Sequence, residues 1–286
     1  MRDSENDDKV FWPDEGFTKG DLAAYYEAVA PVMLPHMRDR PVTVRLFPDG
    51  IRGEAFYRRE RPDDAPAWMR SVTYRPVSVS GVRHLILIDD AEGLRWWVAR
   101  GAIEFHTWGA RRPEVTAPDQ AIFDLDPGEE AGFSDVLAAA LHLRDHLAEQ
   151  GLTGFPKTSG GRGMHVEVPL AKGHTFEQVR AWVRAAAEKL AENHPGVVAA
   201  AHGATHRGRL VTVDHAQNSV GRNTAAPYTV RGRPGAPVSA PVTWAEVARG
   251  AIRPEHFTLR TMPGRIQKKG DLYAGMLEKA YTLPLS

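Results

Sequence analysis

The chain has 286 residues, and its 36 lysines and arginines balance 36 aspartates and glutamates, so the formal net charge is zero. This balance argues against a histone-like protein that coats nucleic acid through bulk positive charge, although it does not exclude a local basic groove. A hydrophobic fraction of 42% excludes disorder over the whole length, and the absence of cysteine excludes disulfides, thiolate metal sites and thiol nucleophiles.

The first residues, MRDSENDDKVFW, are acidic and contain no apolar stretch, so they do not match a secretory signal. The apolar runs elsewhere are too short and too often interrupted to cross a membrane. We therefore expect a cytoplasmic protein without a membrane partner. At this length the chain forms one large domain or two small ones.

The N-terminal half predicts a helix followed by a set of strands. The apolar and aromatic residues of LAAYYEAVAPVML recur at helical spacing, with Thr18 or Asp21 as the N-cap and Pro35 as the end. Segments that alternate between apolar and polar residues predict the strands. These strands are Pro41–Phe47, Gly53–Tyr57, Val72–Val79, His84–Ile88 and Ile103–Trp108, and a short helix is predicted at Leu94–Ala99.

The C-terminal half mixes strands and helices in the same way. Thr243 is expected to cap a helix that starts at Trp244, with Glu246 completing a capping box. The other predicted helices are Phe133–Gln150 and Thr175–Asn193, and an amphipathic segment lies in Lys268–Ser286. The predicted strands are Gln120–Leu125, Met164–Val168 and Leu210–Asp214, with an extended segment at Pro227–Val230. The irregular alternation indicates an α/β or α+β fold with mixed sheets rather than a barrel.

The segment AIFDLDPG places two carboxylates at the end of a predicted strand. Because side chains two residues apart point to the same face of a strand, Asp124 and Asp126 project side by side. Asp214 ends the apolar strand LVTVD in the same way. Adjacent carboxylates repel unless a cation lies between them, and three of them from two strand ends suit a site for divalent ions such as Mg²⁺ or Mn²⁺. A turn with a helix cap is the alternative, because Asp-Pro-Gly is frequent in turns.

A glycine-rich loop, KTSGGRGMH, precedes another predicted strand. The backbone amides of such a loop can point into one concavity and bind phosphate oxygens. Lys157 and Arg162 add positive charge and Ser159 adds a hydroxyl, so these three residues are candidates for phosphate binding. The loop lacks the Gly-Lys-Ser/Thr of a Walker A motif, and a strand follows it instead of the helix of a dinucleotide-binding loop. A plain glycine-rich hairpin with a structural His165 is the alternative.

A basic stretch runs from Ala199 to Gly235, where five arginines stand against one aspartate, a local net charge of +4. The arginines are Arg207, Arg209, Arg222, Arg231 and Arg233. Arg231 and Arg233 share a face of an extended segment, which suits a polyphosphate or a nucleic-acid backbone. A solvated loop is the alternative.

Two further features are ambiguous by themselves. Phe56 and Tyr57 stand beside two arginines, as in sites where unpaired bases stack, although core or edge-strand packing explains the pair equally well. His106 lies near the end of a predicted strand and has the same ambiguity.

The order of these motifs resembles one family. DLDP, SGGRGMH, VDxxQN and APYTVRGRPGAPVSAPVTWAEV resemble, in this order, the polymerase module of bacterial ligase D, a member of the archaeo-eukaryotic primase superfamily. The segments DKVFWPDEGFTKGDLAAYY, RLFPDGIRGEAFY and AIEFHTW extend the likeness to roughly residues 8–282. The resemblance implies a primase-like α+β catalytic core in a single domain, with an N-terminal part at about 1–115 and a metal-binding core at about 116–286.

The resemblance implies a template-directed nucleotidyltransferase that uses two divalent cations, Mn²⁺ or Mg²⁺, and NTP or dNTP substrates, with a preference for ribonucleotides. Asp124, Asp126 and Asp214 match the metal-binding catalytic triad of the family. Arg162 stands where the family often has lysine, and Tyr57 where it often has phenylalanine. By the same resemblance, Ser159 and His165 match residues that contact the incoming triphosphate. The residues that match positions near the nucleotide are His106, Gln217, Arg231 and Arg233. Lys9 and Lys19 match lysines that hold a 5′-phosphate, and Phe56 and Tyr57 match an aromatic pair that stacks on template bases.

The implied partners are DNA with recessed or gapped ends and a 5′-phosphate, together with Ku and a DNA ligase. The chain has no Lys-x-Asp-Gly ligase motif, so it is a stand-alone polymerase or a separated domain of a larger protein. Two other functions stay open. One is a haloacid dehalogenase-like phosphatase, although Gly128 stands where that family needs Thr or Val. The other is a non-catalytic protein that binds DNA ends.

Overall fold

The computed structural model describes residues 7–76, 80–199 and 208–284. The chain forms two compact units, and each unit collects three separate stretches of sequence. The first unit comprises Met1–Val115, Asn223–Ser239 and Phe257–Gly270, and the second comprises Thr116–Arg222, Ala240–His256 and Asp271–Ser286. The end of the strand predicted at Val72–Val79, from residue 77 on, and Arg207 of the basic stretch lie outside the described residues.

The first unit is built on an antiparallel sheet; its elements are numbered here along the whole chain. It contains strands β1 (Val10–Trp12), β2 (Phe17–Thr18), β3 (Pro41–Leu46), β4 (Phe56–Arg58), β5 (Ser71–Tyr74), β6 (Arg83–Leu87), β7 (Ala102–Trp108) and β13 (Asn223–Ala225), with helices α1 (Lys19–Met37), α2 (Ala91–Ala99) and α6 (Met262–Lys269). The strand order is β13-β7-β3-β6-β5, β4 pairs with β3, and β1 pairs with β2 separately. All seven residues of β7 are buried, so this strand lies at the centre of the unit.

Helix α1 starts at its predicted cap but does not end at its proline. The Thr18 hydroxyl accepts from the Asp21 N–H at 3.1 Å, and the Asp21 carboxylate accepts from the Thr18 N–H at 2.8 Å. The predicted end at Pro35 is wrong, because Pro35 lies inside the helix, which continues to Met37. Met33 and Met37 are fully buried, so the packing of the last turns outweighs the hydrogen bond that a proline removes.

The Tyr26 hydroxyl ties α1 to two other parts of the first unit. It donates to the Ile103 carbonyl at 2.6 Å and accepts from the Val230 N–H at 3.0 Å. The ring packs edge-on against Phe105 with 5.0 Å between the centroids. Burial raises the pKa of the Tyr26 phenol, so the hydroxyl keeps its proton and remains a donor.

The second unit contains a five-stranded sheet with helices packed on it. Its strands are β8 (Gln120–Pro127), β9 (Phe155–Thr158), β10 (Met164–Pro169), β11 (Val198–Ala199) and β12 (Val211–Asp214). Its helices are α3 (Phe133–Glu149), α4 (Phe176–Asn193), α5 (Trp244–Arg249) and α7 (Gly275–Glu278), and a 3₁₀ turn lies at Pro254–His256. The strand order is β11-β12-β8-β10-β9, with β11 parallel to β12 and every other neighbour antiparallel. Thr243 caps α5 with Glu246 in the capping box, as predicted.

Four predicted elements differ from the structure. The strand predicted at Gly53–Tyr57 is reduced to β4, and the segment Lys268–Ser286 contributes only α7 and the end of α6. Pro227–Val230 forms no strand, because Tyr228 has a φ of +69° that turns the backbone, and only Val230 keeps an isolated bridge. The strand predicted at Val72–Val79 also ends early, because β5 stops at Tyr74. The remaining elements lie within a few residues of their predicted bounds, and the fold is the predicted mixture of α and β with mixed sheets. No helix in the described part of the chain is long and apolar enough to cross a membrane.

Tyr26→Phe keeps the ring but leaves the buried Ile103 carbonyl and Val230 N–H without their shared partner. We expect the free energy of unfolding to fall by about 1–3 kcal/mol, the usual cost of an unsatisfied buried hydrogen-bonding group. Urea unfolding followed by circular dichroism measures this loss. Tyr74→Phe is the control, because the half-buried Tyr74 ring packs against Trp108. Equal losses in the two variants would contradict the role of the Tyr26 hydroxyl.

Candidate functional site

Three aspartates come together at the paired ends of β8 and β12. The register sets Asp214 directly opposite Asp124, and Thr212 opposite Asp126. Opposite residues of an antiparallel pair share a face, and so do residues two apart in one strand. All three carboxylates predicted from the sequence therefore lie on one face of the second unit's sheet.

The turn after β12 explains why that strand stops at Asp214. The Asp214 Oδ1 atom accepts from the Ala216 N–H at 2.7 Å, which starts a tight turn. Asn218 is only 2% exposed, and its side-chain amide accepts from the Ile122 N–H and donates to the Ile122 carbonyl, each at 2.8 Å. The amide therefore takes the place of a strand backbone beside β8. Gln217 lies half-buried in the same turn.

The three carboxylates suit a divalent ion by their chemistry but have other partners in this structure. Within residues 7–76, 80–199 and 208–284, no group of three or more His, Asp or Glu side chains is arranged to hold a metal ion. The Asp124 Oδ1 atom lies 3.4 Å from His165 Nε2, and Asp214 accepts a backbone N–H. Three carboxylates on one face still supply the oxygen ligands that Mg²⁺ and Mn²⁺ prefer.

A buried lysine lies behind His165, the cross-strand partner of Asp124. Lys157 has no exposed side-chain surface, and its Nζ lies 2.6 Å from His165 Nδ1 and 3.5 Å from Glu167 Oε1. An ammonium group only donates, so Nδ1 accepts and the ring proton is on Nε2, which faces Asp124. Lys157 is thus buried against His165 and Glu167 in this structure, and its predicted part in nucleotide binding remains a prediction.

The glycine-rich loop between β9 and β10 lies against the end of β8. Gly163 passes so close to β8 that a Cβ atom on it would lie 2.3 Å from the Leu125 carbonyl oxygen. Ser159 closes the loop, since its N–H donates to the Gly163 carbonyl at 3.0 Å and its hydroxyl accepts from the Gly161 N–H at 3.2 Å. The loop therefore supports the strand segment that carries the first two aspartates.

The Arg162 guanidinium binds backbone carbonyl groups in this structure. Its Nη2 donates to the Gly128 carbonyl at 2.9 Å and to the Ala131 carbonyl at 3.0 Å, which ties the glycine-rich loop to the segment that follows β8. The residue is exposed, so the side chain keeps a surface toward solvent. Its contact with phosphate remains a prediction.

A second polar group lies in the first unit, around the fully buried carboxylate of Glu104 on β7. One carboxylate oxygen accepts from Arg45 Nη1 at 3.2 Å and from the Gly232 N–H at 2.9 Å. The other accepts from His106 Nε2 at 2.9 Å and from Arg231 Nε at 3.1 Å. Two of the residues predicted from the sequence to bind nucleotide are thus held by an acid that the sequence analysis did not single out.

Burial and hydrogen bonding act in opposite directions on Glu104. Burial acts to raise the pKa of this carboxyl, but the hydrogen bond to His106 and the charge of Arg231 outweigh it and lower the pKa to about 2. Burial also lowers the pKa of His106, so the imidazole is neutral near pH 7. The available signal was a lone Glu two residues before a His in the otherwise apolar strand AIEFHTW.

The aromatic pair on β4 is exposed, and its Tyr57 contacts the same group. Phe56 is 44% and Tyr57 is 56% exposed, which is unusual for large aromatic residues. The Arg45 guanidinium lies 4.8 Å from the centroid of the Phe47 ring and 5.2 Å from that of the Tyr57 ring, and Tyr57 meets the His106 ring edge-on at 6.1 Å. Exposed rings on a cationic base are a suitable surface for stacking.

The two N-terminal lysines are neighbours through their backbones. The Lys19 N–H donates to the Lys9 carbonyl at 2.8 Å, and Lys19 is the first residue of α1, where the helix dipole favours anions. The Lys9 ammonium donates to the Pro48 carbonyl at 2.6 Å and to Asp49 at 2.7 Å. Arg233 is exposed.

The chain is similar to one protein family over most of its length. The family described as LigD, primase-polymerase domain, matches residues 18–273. The multifunctional non-homologous end joining protein LigD of Mycolicibacterium smegmatis is 33% identical over 273 residues, which cover 94% of this chain and 35% of that protein. The bifunctional non-homologous end joining protein LigD of Bacillus subtilis is 30% identical over 284 residues, which cover 98% of this chain and 44% of that protein.

A solved structure has the same fold. The polymerase domain of Mycobacterium tuberculosis ligase D in complex with DNA matches with a TM-score of 0.89 and 34% identity, over 96% of this chain and 98% of that chain. The chain thus corresponds to that domain nearly in full, whereas it spans less than half of the curated M. smegmatis and B. subtilis proteins.

Gly163→Ala places a methyl group against the Leu125 carbonyl, between the two aspartates of β8. We expect a loss of about 1–3 kcal/mol in the free energy of unfolding, the usual cost of overpacking, because a backbone atom cannot rotate away. Urea unfolding measures the loss. The control is Gly196→Ala in the same unit, where a Cβ atom meets nothing within 4 Å. A Gly163→Ala protein as stable as the Gly196→Ala protein would contradict the close approach.

Glu104→Gln is expected to cost more stability at neutral pH than in acid. Folding lowers the pKa of Glu104 from its ordinary value of 4.5 to about 2, so its ionised form stabilises the protein above pH 4.5 and this contribution is lost as the pH falls toward 2. The pH-dependent part amounts to roughly 3 kcal/mol. Urea unfolding at pH 7 and pH 3 measures about 2 kcal/mol of this part, because a carboxyl with a pKa of about 2 is still largely ionised in the folded protein at pH 3. Glu60→Gln, an exposed partner of Arg83, is the control. A loss that is equal at both pH values would contradict the charge argument.

Proposed function

The chain belongs to the family of LigD primase-polymerase domains, and we propose that it is a template-directed nucleotidyltransferase that adds nucleotides to a primer 3′-hydroxyl in DNA repair. The observation that supports this most directly is the shared face of β8 and β12 that carries Asp124, Asp126 and Asp214. Phosphoryl transfer depends on positioning and electrostatic stabilisation, and carboxylate-held metal ions are a common means of providing both.

The proposed cofactors are two divalent cations, Mg²⁺ or Mn²⁺, held by Asp124, Asp126 and Asp214. Bound there, such ions would lower the pKa of the primer hydroxyl and offset the negative charge on the phosphates. The protein contributes the strand register that keeps the three carboxylates on one face. His165 directs its Nε2 proton toward Asp124, and Lys157 holds that tautomer.

Residues that bind nucleotide are proposed in each unit separately. In the second unit these are Ser159, Arg162, His165 and Gln217, together with amides of the glycine-rich loop. In the first unit they are His106, Arg231 and Arg233. The support comes from charge and geometry: cationic and N–H groups are the donors that bind phosphate oxygens, and the Glu104 carboxylate holds two of these side chains in place.

The proposed DNA contacts lie in the first unit. The exposed Phe56 and Tyr57 rings would stack on template bases. Lys9, together with Lys19 at the start of α1, would bind a 5′-phosphate at a recessed or gapped end. The names of the relatives refer to non-homologous end joining, and the similar solved domain was bound to DNA. By extension we propose end joining or gap filling in the cytoplasm, a preference for ribonucleotides, and Ku and a DNA ligase as partners.

The haloacid dehalogenase alternative has no support, because the chain belongs to a different family. A non-catalytic protein that binds DNA ends remains the competing function. Primer extension distinguishes it from a polymerase: a protein that binds a gapped duplex with good affinity but adds no nucleotide with Mg²⁺ or Mn²⁺ would be an end-binding protein.

Asp124→Ala is expected to reduce nucleotide addition by about a thousandfold or more, because a lost metal ligand removes several kcal/mol of transition-state stabilisation. Binding to the same DNA should stay within about twofold, since the phosphate contacts that dominate affinity are unchanged. The assay is extension of a primer on a gapped, 5′-phosphorylated duplex with Mg²⁺ or Mn²⁺. Asp145→Ala, an aspartate on α3 whose side chain is 60% exposed, is the control.

The same assay run with NTP and dNTP in parallel tests the proposed sugar preference. We expect faster addition of ribonucleotides by the wild type. If Asp124→Ala still extends primers with Mn²⁺, the metal assignment is wrong; if the wild type and both variants add no nucleotide, the proposed activity itself is wrong.

A further inference from the structure

The group around Glu104 combines one buried anion with three nitrogen-bearing side chains that reach the surface. The Glu104 side chain has no exposed surface, whereas those of His106, Arg231 and Arg45 are 9%, 14% and 30% exposed. A wholly buried carboxylate cannot contact a bound molecule directly. Its partners are the groups that a ligand on this surface would meet.

The hydrogen bonds to Glu104 use the carboxylate fully. A carboxylate has about four lone-pair positions, and here four donors occupy them: Arg45 Nη1, the Gly232 N–H, His106 Nε2 and Arg231 Nε. The donors come from β3, from β7 and from the segment after residue 230, so one side chain connects three parts of the unit. Removing it would take a hydrogen-bond acceptor from three side chains at once.

The hydrogen bond to Glu104 also decides which atoms these side chains present. His106 is neutral because burial lowers its pKa, and its proton lies on Nε2 toward Glu104, which leaves Nδ1 as an acceptor. Arg231 binds Glu104 through Nε, which fixes the plane of the guanidinium group. The carboxylate therefore sets orientation as well as position.

Packing around the group leaves little room for other arrangements. A Cβ atom on Gly232 would lie 2.2 Å from the Phe47 ring, so the backbone there passes directly over that ring. The Arg45 guanidinium in turn contacts the Phe47 and Tyr57 rings. Glu104 is thus the polar centre of an otherwise tightly packed assembly.

We propose that Glu104 is a positioning residue, which fixes His106 and holds the guanidinium groups of Arg45 and Arg231 in the arrangement that binds the polyphosphate of the incoming nucleotide. The inference rests on the proposed function for its ligand, and on the hydrogen bonds of the first unit for its mechanism. Charge and position have opposite effects on the affinity for polyphosphate when Glu104 is replaced. Glu104→Gln makes the group more positive, so electrostatics alone would tighten phosphate binding, whereas loss of positioning weakens it.

The test is calorimetric titration of the wild type and Glu104→Gln with tripolyphosphate at pH 7 in EDTA, where no metal ion takes part. We expect binding to weaken by about tenfold, the loss associated with a charge-assisted hydrogen bond. Glu60→Gln, which removes the same charge from an exposed ion pair of the same unit, should bind as tightly as the wild type or slightly more tightly. Unchanged or tighter binding by Glu104→Gln would overturn the proposal.

Two further measurements separate positioning from loss of structure. Circular dichroism checks that the Glu104→Gln protein is folded at pH 7. If that variant does not fold, Glu104→Asp is titrated in its place, because it keeps the negative charge on a shorter side chain. We expect Glu104→Asp to bind tripolyphosphate with intermediate affinity. Wild-type affinity in a folded Glu104→Asp protein would overturn the proposal, because the shorter carboxylate cannot reach all four donors.

Kinetics distinguish this proposal from the proposed function. In primer extension the folded variant should show a KM for nucleotide raised about tenfold with a smaller change in kcat, the signature of lost substrate binding. A wild type that binds tripolyphosphate more tightly than the variant but extends no primer would support positioning and refute the polymerase. An active wild type with an unchanged KM in Glu104→Gln would refute positioning alone.

Discussion

The antiparallel register of β8 with its two neighbours is the constraint on which the second unit's site depends. Pairing with β12 sets Asp214 opposite Asp124, and pairing with β10 sets His165 on the other side of the same residue. A slip of one residue would turn every side chain of β8 to the opposite face and separate the carboxylates. Buried contacts oppose such a slip: the Asn218 amide bonds the backbone of β8 on one side, and Gly163 approaches it on the other.

Each unit places side chains of like charge close together, and the repulsion between them is offset in a different way in each unit. In the second unit three carboxylates share a sheet face, an arrangement that a divalent cation would stabilise. In the first unit the buried Glu104 accepts hydrogen bonds from Arg45, His106 and Arg231, and this carboxylate offsets one of the two guanidinium charges. The zero net charge of the chain is thus compatible with strongly charged local groups. Such groups, rather than bulk charge, are what a selective nucleotide or DNA site requires.

Local signals predicted well what arises locally. The caps Thr18 and Thr243 form the expected hydrogen bonds, because a capping box involves only residues three apart. The same local rules failed at Pro35, where burial of distant partners keeps α1 helical, and at Tyr228, whose positive φ no pattern indicated. In both places tertiary packing outweighs a local preference, which is worth only a few kcal/mol.

The sequence by itself determined the fold class, most of the elements and the aspartates at the strand ends, because spacing along a strand is a local property. Only the tertiary structure decided that Lys157 lies buried behind His165 and that Glu104 is the centre of the second polar group. Glu104 is 59 residues from Arg45 and 127 from Arg231 in sequence. Contacts over such separations depend on which strands pair and in which register, and that follows from burial of the whole core rather than from any one segment.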